Sequence, residues 1–277
     1  MFIECRMMES KVANLPDRSV RYLEAGSGRA ALLLHAFPLS ADQWLPQLHR
    51  APPGWRFVAP DLRGFRGAGF AFEETGLERA TMDQHAVDVL ALMSHLDIER
   101  AVIAGLSMGG YITFALMRRA PTRVEGLVLA NTRSTPDSIE GLAARDRLIE
   151  LATREGAAGV AREMLPRLLG STTVREQPNL VDAVRRLIEM NTTDGLVSAL
   201  RAMKIRLDST LVLPAIVCRT LVVAGAEDSV VAETESHAMR RAIPGAEILV
   251  IPGAGHLSNL EAPQAFNEAL AGFLQTL

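Results

Sequence analysis

The 277-residue chain is poor in cysteine and has no strong excess of either charge. It holds two cysteines, Cys5 and Cys218, far apart and in no CxxC or CxxxC spacing. That excludes a disulfide framework and a thiolate zinc site, and two free thiols fit a reducing compartment. Twenty-nine basic and 32 acidic residues leave a formal charge of −3, and no run of five or six like charges occurs. Electrostatic binding to nucleic acid therefore lacks a basis. The longest apolar stretches, such as 30–34 and 101–104, fall far short of the about 20 residues that span a bilayer. Glu4, Arg6 and Glu9 interrupt the N-terminal segment, which argues against a secretory leader. Repeats and low-complexity segments are absent too. With 48% hydrophobic and 22% charged residues, the expectation is a cytoplasmic globular protein with no membrane or nucleic-acid partner.

Short aliphatic runs alternate with amphipathic stretches. Strands are predicted at 20–24, 30–34, 56–59, 101–104 and 126–130, and helices at 43–50, 81–96 and 108–120. Alternation of this kind predicts a mostly parallel, doubly wound α/β sheet with helices on both faces. From 134 to 213 no strand is evident. Helices are expected there at 139–154, 157–169, 180–190 and 196–204, punctuated by Pro166, Gly170, Pro178, Asn191 and Gly195. The alternation resumes with strands at 220–224 and 247–251 and helices at 233–242 and 263–274. The expected organisation is one core, 1–133 and 214–277, interrupted by a helical insertion over 134–213.

The run 101–104 leads into Gly105-Leu106-Ser107-Met108-Gly109 and then a helix. G-x-S-x-G between strand and helix is the pattern of a nucleophile elbow. Chance gives the bare pattern about 0.1 times in a chain of this composition, and the strand–helix context sharpens it. A helix N-terminus behind Ser107 offers N–H groups to a developing negative charge. A second donor is expected from the loop after 30–34, His35-Ala36-Phe37-Pro38, so the Phe37 and Met108 N–H groups form the expected oxyanion hole. His35 itself reads as a structural histidine holding that loop, with a metal or base role as the rival. Trp44 is expected to pack the first helix onto the same loop.

Of six histidines, His256 alone follows a strand in a Gly-rich loop, Pro252-Gly253-Ala254-Gly255-His256, and is the expected general base. His49, His85, His95 and His237 fall in helices or at their ends. The carboxylate that orients the base is expected at Asp228, after the strand at 220–224, with Glu227 beside it as rival. The order Ser107, Asp228, His256 is that of an α/β-hydrolase triad.

These residues carry a resemblance to the α/β-hydrolase superfamily over nearly the whole chain. It rests on His35-Ala36-Phe37-Pro38, Asp61-Leu62-Arg63-Gly64, Gly105 to Gly110, Gly225-Ala226-Glu227-Asp228 and Gly255-His256. The tail Gly255-His256-Leu257-Ser258-Asn259-Leu260-Glu261-Ala262-Pro263 with Phe266-Asn267, together with Leu129-Ala130-Asn131-Thr132, is similar to 3-oxoadipate enol-lactonases. The resemblance implies an α/β-hydrolase fold with a helical cap inserted after the sixth strand. It implies a cofactor-free serine esterase or lactonase, with a small-molecule ester or lactone and water as its substrates. Perhydrolases, carbon–carbon hydrolases and small-ligand binding proteins share the pattern. Ser107 at the elbow, where dehalogenases and epoxide hydrolases have Asp, points to acyl transfer.

Two departures stand out. Ala36 replaces the usual glycine of the oxyanion loop, and Arg63-Gly64-Phe65-Arg66-Gly67-Ala68-Gly69 replaces the usual Arg-Gly-His-Gly-x-Ser run, with Phe65 and Arg66 expected to alter access. In the insertion, Met164, Met190 and Met203 are candidate pocket-lining residues. Arg133, just past the strand at 126–130, is a candidate cation for a substrate carboxylate.

Overall fold

A computed structural model describes residues 8–16, 18–66 and 81–277. Cys5 and the 67–69 part of the departing loop lie outside the described residues. Eight strands form one sheet: β1 (Ser10–Asn14), β2 (Ser19–Gly26), β3 (Arg29–Leu34), β4 (Trp55–Pro60), β5 (Ala101–Leu106), β6 (Val124–Ala130), β7 (Arg219–Gly225) and β8 (Glu247–Ile251). Their order is β1-β2-β4-β3-β5-β6-β7-β8. Pairing is antiparallel from β1 to β2 and from β2 to β4, and parallel from β4 through to β8.

The parallel strands β3, β5 and β6 are buried along nearly their whole length, which explains why they read as unbroken aliphatic runs rather than alternating ones. Strand β1 escaped the sequence reading. It is a five-residue edge strand, Ser-Lys-Val-Ala-Asn, of which only Ala13 is buried.

Ten α-helices, beside short 3-10 turns, complete the described fold. Before the insertion come α1 (Leu45–Leu48), α2 (Met82–His95) and α3 (Met108–Arg119). The hydroxyl of Thr81 caps α2 by accepting the Gln84 N–H at 3.0 Å. The insertion holds α4 (Ile139–Leu168), α5 (Ser171–Glu176), α6 (Pro178–Glu189) and α7 (Thr193–Lys204). Two helices were expected where α4 runs. Its backbone is indeed non-helical at Gly156, with φ 64° and ψ −160°. After the insertion come α8 (Glu233–Ala242), α9 (Ser258–Glu261) and α10 (Pro263–Leu274). Among the described residues no helix is long and apolar enough to cross a membrane.

The strands β3 and β5 lie side by side, although β4 comes between them in sequence. The chain therefore reverses its winding direction at this point, where open α/β sheets gather their ligand-binding loops at the carboxyl ends of the strands. The loops that follow β3, β5, β6, β7 and β8 carry, in that order, Phe37, Ser107, Asn131, Asp228 and His256.

Candidate active site

Ser107 occupies the one-residue turn between β5 and α3, at φ 54° and ψ −111°. Positive φ is costly for a residue with a side chain, on the order of 1–3 kcal/mol, and persists only where the surroundings enforce it. The glycines of the motif show how. A Cβ at Gly109 would overlap the Leu34 carbonyl at the end of β3, and one at Gly105 would overlap the Gly109 carbonyl and lie 2.5 Å from the Thr113 hydroxyl. Helix α3 thus starts in direct backbone contact with the neighbouring strand, and the turn before it has no room to relax. The Ser107 N–H donates to Ala130 O at 2.9 Å, while its carbonyl accepts the Thr132 hydroxyl at 2.8 Å and the Gly110 N–H at 2.9 Å. Met108 is the first residue of α3, so its N–H has no acceptor within the helix.

His256 and Asp228 meet. Nδ1 of the buried imidazole lies 2.8 Å from Asp228 Oδ2. A carboxylate only accepts, so Nδ1 carries the proton of this bond, which in the neutral tautomer leaves the lone pair on Nε2. The other oxygen, Asp228 Oδ1, accepts the Val230 and Val231 N–H groups at 2.8 and 3.0 Å. Burial pushes the Asp228 carboxyl up. The charge and hydrogen bond of His256, with donors from Asn131 and Val231, outweigh it and hold the group below the usual carboxylate range.

Glu227 turns away from the imidazole. Its carboxylate accepts from the Thr172 N–H at 2.8 Å, the Thr172 hydroxyl at 2.6 Å and the Ser171 hydroxyl at 2.9 Å, at the start of α5.

Around Phe37 the loop is fixed by its neighbours. The Ala36 N–H donates to Gln43 Oε1 at 2.8 Å, and the Ala36 carbonyl accepts from Leu39 N and His35 Nδ1, both at 2.9 Å. His35 Nε2 accepts the Leu62 N–H at 3.1 Å. Both ring nitrogens of His35 are thus spent on backbone. Its burial lowers the pKa to about 3, so the ring is neutral and structural. Ala36 is not among the positive-φ residues, so the absent glycine costs the loop nothing. Phe65 does not line an entrance. It is buried, edge-on to His35 at 4.8 Å and to Phe37 at 6.4 Å. Trp44 packs its ring against Phe266 of α10 at 5.9 Å.

A profile of the alpha/beta hydrolase family matches residues 31–269. The chain belongs to that family. Among solved structures, an esterase from Thermogutta terrifontis with malate bound is 36% identical, with a TM-score of 0.89 over 97% of this chain and 98% of that one. The enol-lactonase from Burkholderia xenovorans LB400 is 27% identical, with a TM-score of 0.86 over 96% of this chain and all of that one. In sequence, 3-oxoadipate enol-lactonase 2 of Acinetobacter baylyi is 29% identical over 94% of both chains.

Three residues of this alpha/beta hydrolase had no role in the sequence reading and are central in the structure. Asn131 donates from Nδ2 to Asp228 Oδ2 at 3.0 Å and to the Gly255 carbonyl at 3.1 Å, and its Oδ1 accepts the Ser258 hydroxyl at 2.5 Å. With Thr132 on Ser107, this pair of residues links the Ser107 turn to the Asp228 and His256 loops. Glu261 accepts the Gly255 and Leu257 N–H groups, on either side of His256, at 3.0 and 2.9 Å, and the Gly170 N–H at 2.7 Å. Asn259 ties the His256 loop to Gln43, in the turn before α1, and to Gln47 of α1. Asn131, Asn259 and Glu261 stand in stretches that carry the family resemblance, but no local spacing reveals what they touch.

Arg133 and Met203 fall in one cluster at the root of the insertion. Asp137 is paired with Arg133 at 2.6 Å, Arg206 at 2.8 Å and Arg145. The Arg206 guanidinium lies 4.3 Å above the Tyr111 ring, one turn beyond Ser107 on α3. Arg145 also reaches the Met203 sulfur at 3.4 Å. Of the other two methionines, Met164 is half-buried and packs on the core, while Met190 is half exposed.

Proposed function

We propose that this alpha/beta hydrolase cleaves small carboxylic esters with Ser107 as nucleophile and an acyl-enzyme as intermediate. The observation that carries the reading is the 2.8 Å Asp228–His256 hydrogen bond, on loops tied through Asn131 and Thr132 to the turn that holds Ser107 at positive φ. In this scheme His256 Nε2 takes the Ser107 proton as Oγ attacks the ester carbonyl. The Phe37 and Met108 N–H groups receive the oxyanion, and the imidazolium then protonates the leaving alkoxide. Water repeats the cycle and releases the acid. Asp228 keeps the imidazole in the required tautomer and stabilises its cation. Residues 134–213 act as a cap over the carboxyl edge of the core formed by 1–133 and 214–277. The scheme needs no metal or organic cofactor, and the enzyme works in the cytoplasm.

The test is turnover of p-nitrophenyl acetate and butyrate by the wild type and by Ser107→Ala. A fall in kcat of roughly 10⁴–10⁶-fold is expected. Near-normal turnover by the variant overturns the scheme. A wild type that hydrolyses no ester and returns a tightly bound ligand unchanged favours a binding protein.

The arginine cluster favours a more specific substrate. Three guanidiniums face Asp137, and even with nearby Glu235 counted the cations outnumber the carboxylates, three to two. An ester or lactone bearing a carboxylate suits that balance, with Arg133 as its contact. The malate-bound esterase and the enol-lactonase relatives support the same substrate class. A higher kcat/KM for an acidic ester than for its neutral methyl ester, lost in Arg133→Gln, is the expected result.

A further inference from the structure

Asn191 lies in the turn between α6 and α7, within the insertion, and is only 5% exposed. Its Nδ2 donates to the Pro38 carbonyl at 2.8 Å, one residue beyond Phe37. Its Oδ1 accepts the Arg66 N–H at 3.1 Å. The same amide nitrogen meets the Leu187 and Ile188 carbonyls at the end of α6, at 3.2 and 3.3 Å. An amide NH₂ has two protons. Its shortest contact is the one to the oxyanion loop, so that loop has first claim on one of them.

A second contact supports the first. Gly195, in the first turn of α7, lies so close to the Gly64 carbonyl that a Cβ there would overlap it. The insertion therefore presses on the segment 64–66, and Phe65 of that segment braces His35 and Phe37 with its ring. On the core side, Gln43 and Leu62 hold the same loop through Ala36 and His35. Core bonds fix one side of the loop, and Asn191 fixes the other.

We infer that Asn191 is a positioning residue that sets the Phe37 N–H for the developing oxyanion. The inference rests on the assignment of Phe37 as an oxyanion donor. A donor of this kind acts on charge that appears in the transition state, and its contribution falls steeply with small displacements. Loss of Asn191 therefore acts on kcat and spares ground-state binding.

Two variants separate the contacts. Asn191→Asp keeps the acceptor for the Arg66 N–H and removes the donor to Pro38, while Asn191→Ala removes both. A fluorophosphonate probe, reacted to completion, counts competent sites so that misfolded protein does not enter the rate. Expected for both variants is a fall of about tenfold in kcat per titrated site on p-nitrophenyl butyrate, with KM unchanged. The affinity for a trifluoromethyl ketone, which mimics the tetrahedral adduct, is expected to fall by the same factor as kcat/KM. An unchanged kcat per site in Asn191→Asp, or a loss confined to KM, overturns the positioning role alone. A wild type that neither labels nor turns over ester overturns it together with the hydrolase scheme.

Discussion

The side-chain amide of Asn131 donates to Asp228 Oδ2 over 3.0 Å, on the same oxygen that receives the His256 proton. Asn131 adopts φ 46°, a left-handed conformation that asparagine tolerates better than most residues. It follows β6, so it stands between the Ser107 turn and the Asp228 loop in the sheet. Its removal leaves the Asp228 carboxylate with one donor fewer and frees the Gly255 carbonyl beside His256. Asn131→Gly keeps the backbone freedom and deletes the amide. The expected loss in kcat is roughly 10- to 100-fold, the worth of one hydrogen bond to a charged group. Ester turnover at saturating substrate measures it, and a loss under twofold sinks the role.

Two adjacent carboxylates, Glu227 and Asp228, have opposite assignments. Asp228→Asn leaves the shape intact but no longer enforces the Nδ1–H tautomer of His256. A fall in kcat of about 10⁴-fold is expected. Glu227 engages Ser171 and Thr172 rather than the imidazole. Glu227→Gln is therefore expected to keep normal turnover. Comparable losses in the two variants, measured on the same ester, rule out this division of roles.

Much of this organisation is legible in the sequence because parallel strands are buried on both faces. The run 101–104 reads as a strand, and β5 extends it to Leu106, since Gly105 resembles a turn until Gly109 and Thr113 are seen against it. Helix α5 was not legible. It has six residues, one of them buried, and its first turn is held by Glu227, more than fifty positions away. The elbow, the Asp228 loop and the His256 loop are legible because each is a local pattern at a strand end. Their supports are not local: Asn131 meets Asp228 across 97 positions, and Gln43 meets Asn259 across 216. Pairs so distant leave no periodicity to read.

Asp137 connects the two ends of the insertion. Its carboxylate is about 1% exposed and pairs with Arg133 and Arg145 on the outgoing side and Arg206 on the returning side. Nearby, the Ser209 N–H donates to the Ser134 carbonyl at 2.9 Å, closing the same junction. Burial pushes the Asp137 carboxyl up, but hydrogen bonds and charge from Arg206 and Arg145 drive it far below the usual range. Asp137→Asn strips three guanidiniums of their shared counter-charge and is expected to cost about 3–5 kcal/mol. The pair Arg219–Glu247, with side chains 51% and 60% exposed, is a control. Glu247→Gln is expected to cost under about 1 kcal/mol. Urea midpoints compare the two, and equal costs would show that burial does not govern these pairs.

Acid sensitivity follows from two buried imidazoles. Burial lowers His35 to about 3 against the opposing hydrogen bond to Ala36, and lowers His85 to about 4 against the opposing charge of Asp88. In the unfolded chain both titrate near 6.5. Between pH 6.5 and 4 the unfolded state thus binds up to two more protons than the folded state, and stability falls as pH falls. The limiting slope is about 2.7 kcal/mol per pH unit for two protons. Well above 6.5, from about pH 8, both rings are neutral in either state, and this dependence vanishes. The two histidines differ in what they hold. Among the described residues neither nitrogen of His85 has a hydrogen-bond partner, whereas His35 holds Ala36 and Leu62. His85→Leu is therefore expected to stabilise at every pH and to remove about half of the acid slope. His35→Leu orphans two buried backbone groups and is expected to destabilise at pH 8. Urea titrations at pH 8, 6 and 5 decide it: an unaltered slope in His85→Leu means that this ring is already charged in the folded protein, and the burial argument then fails.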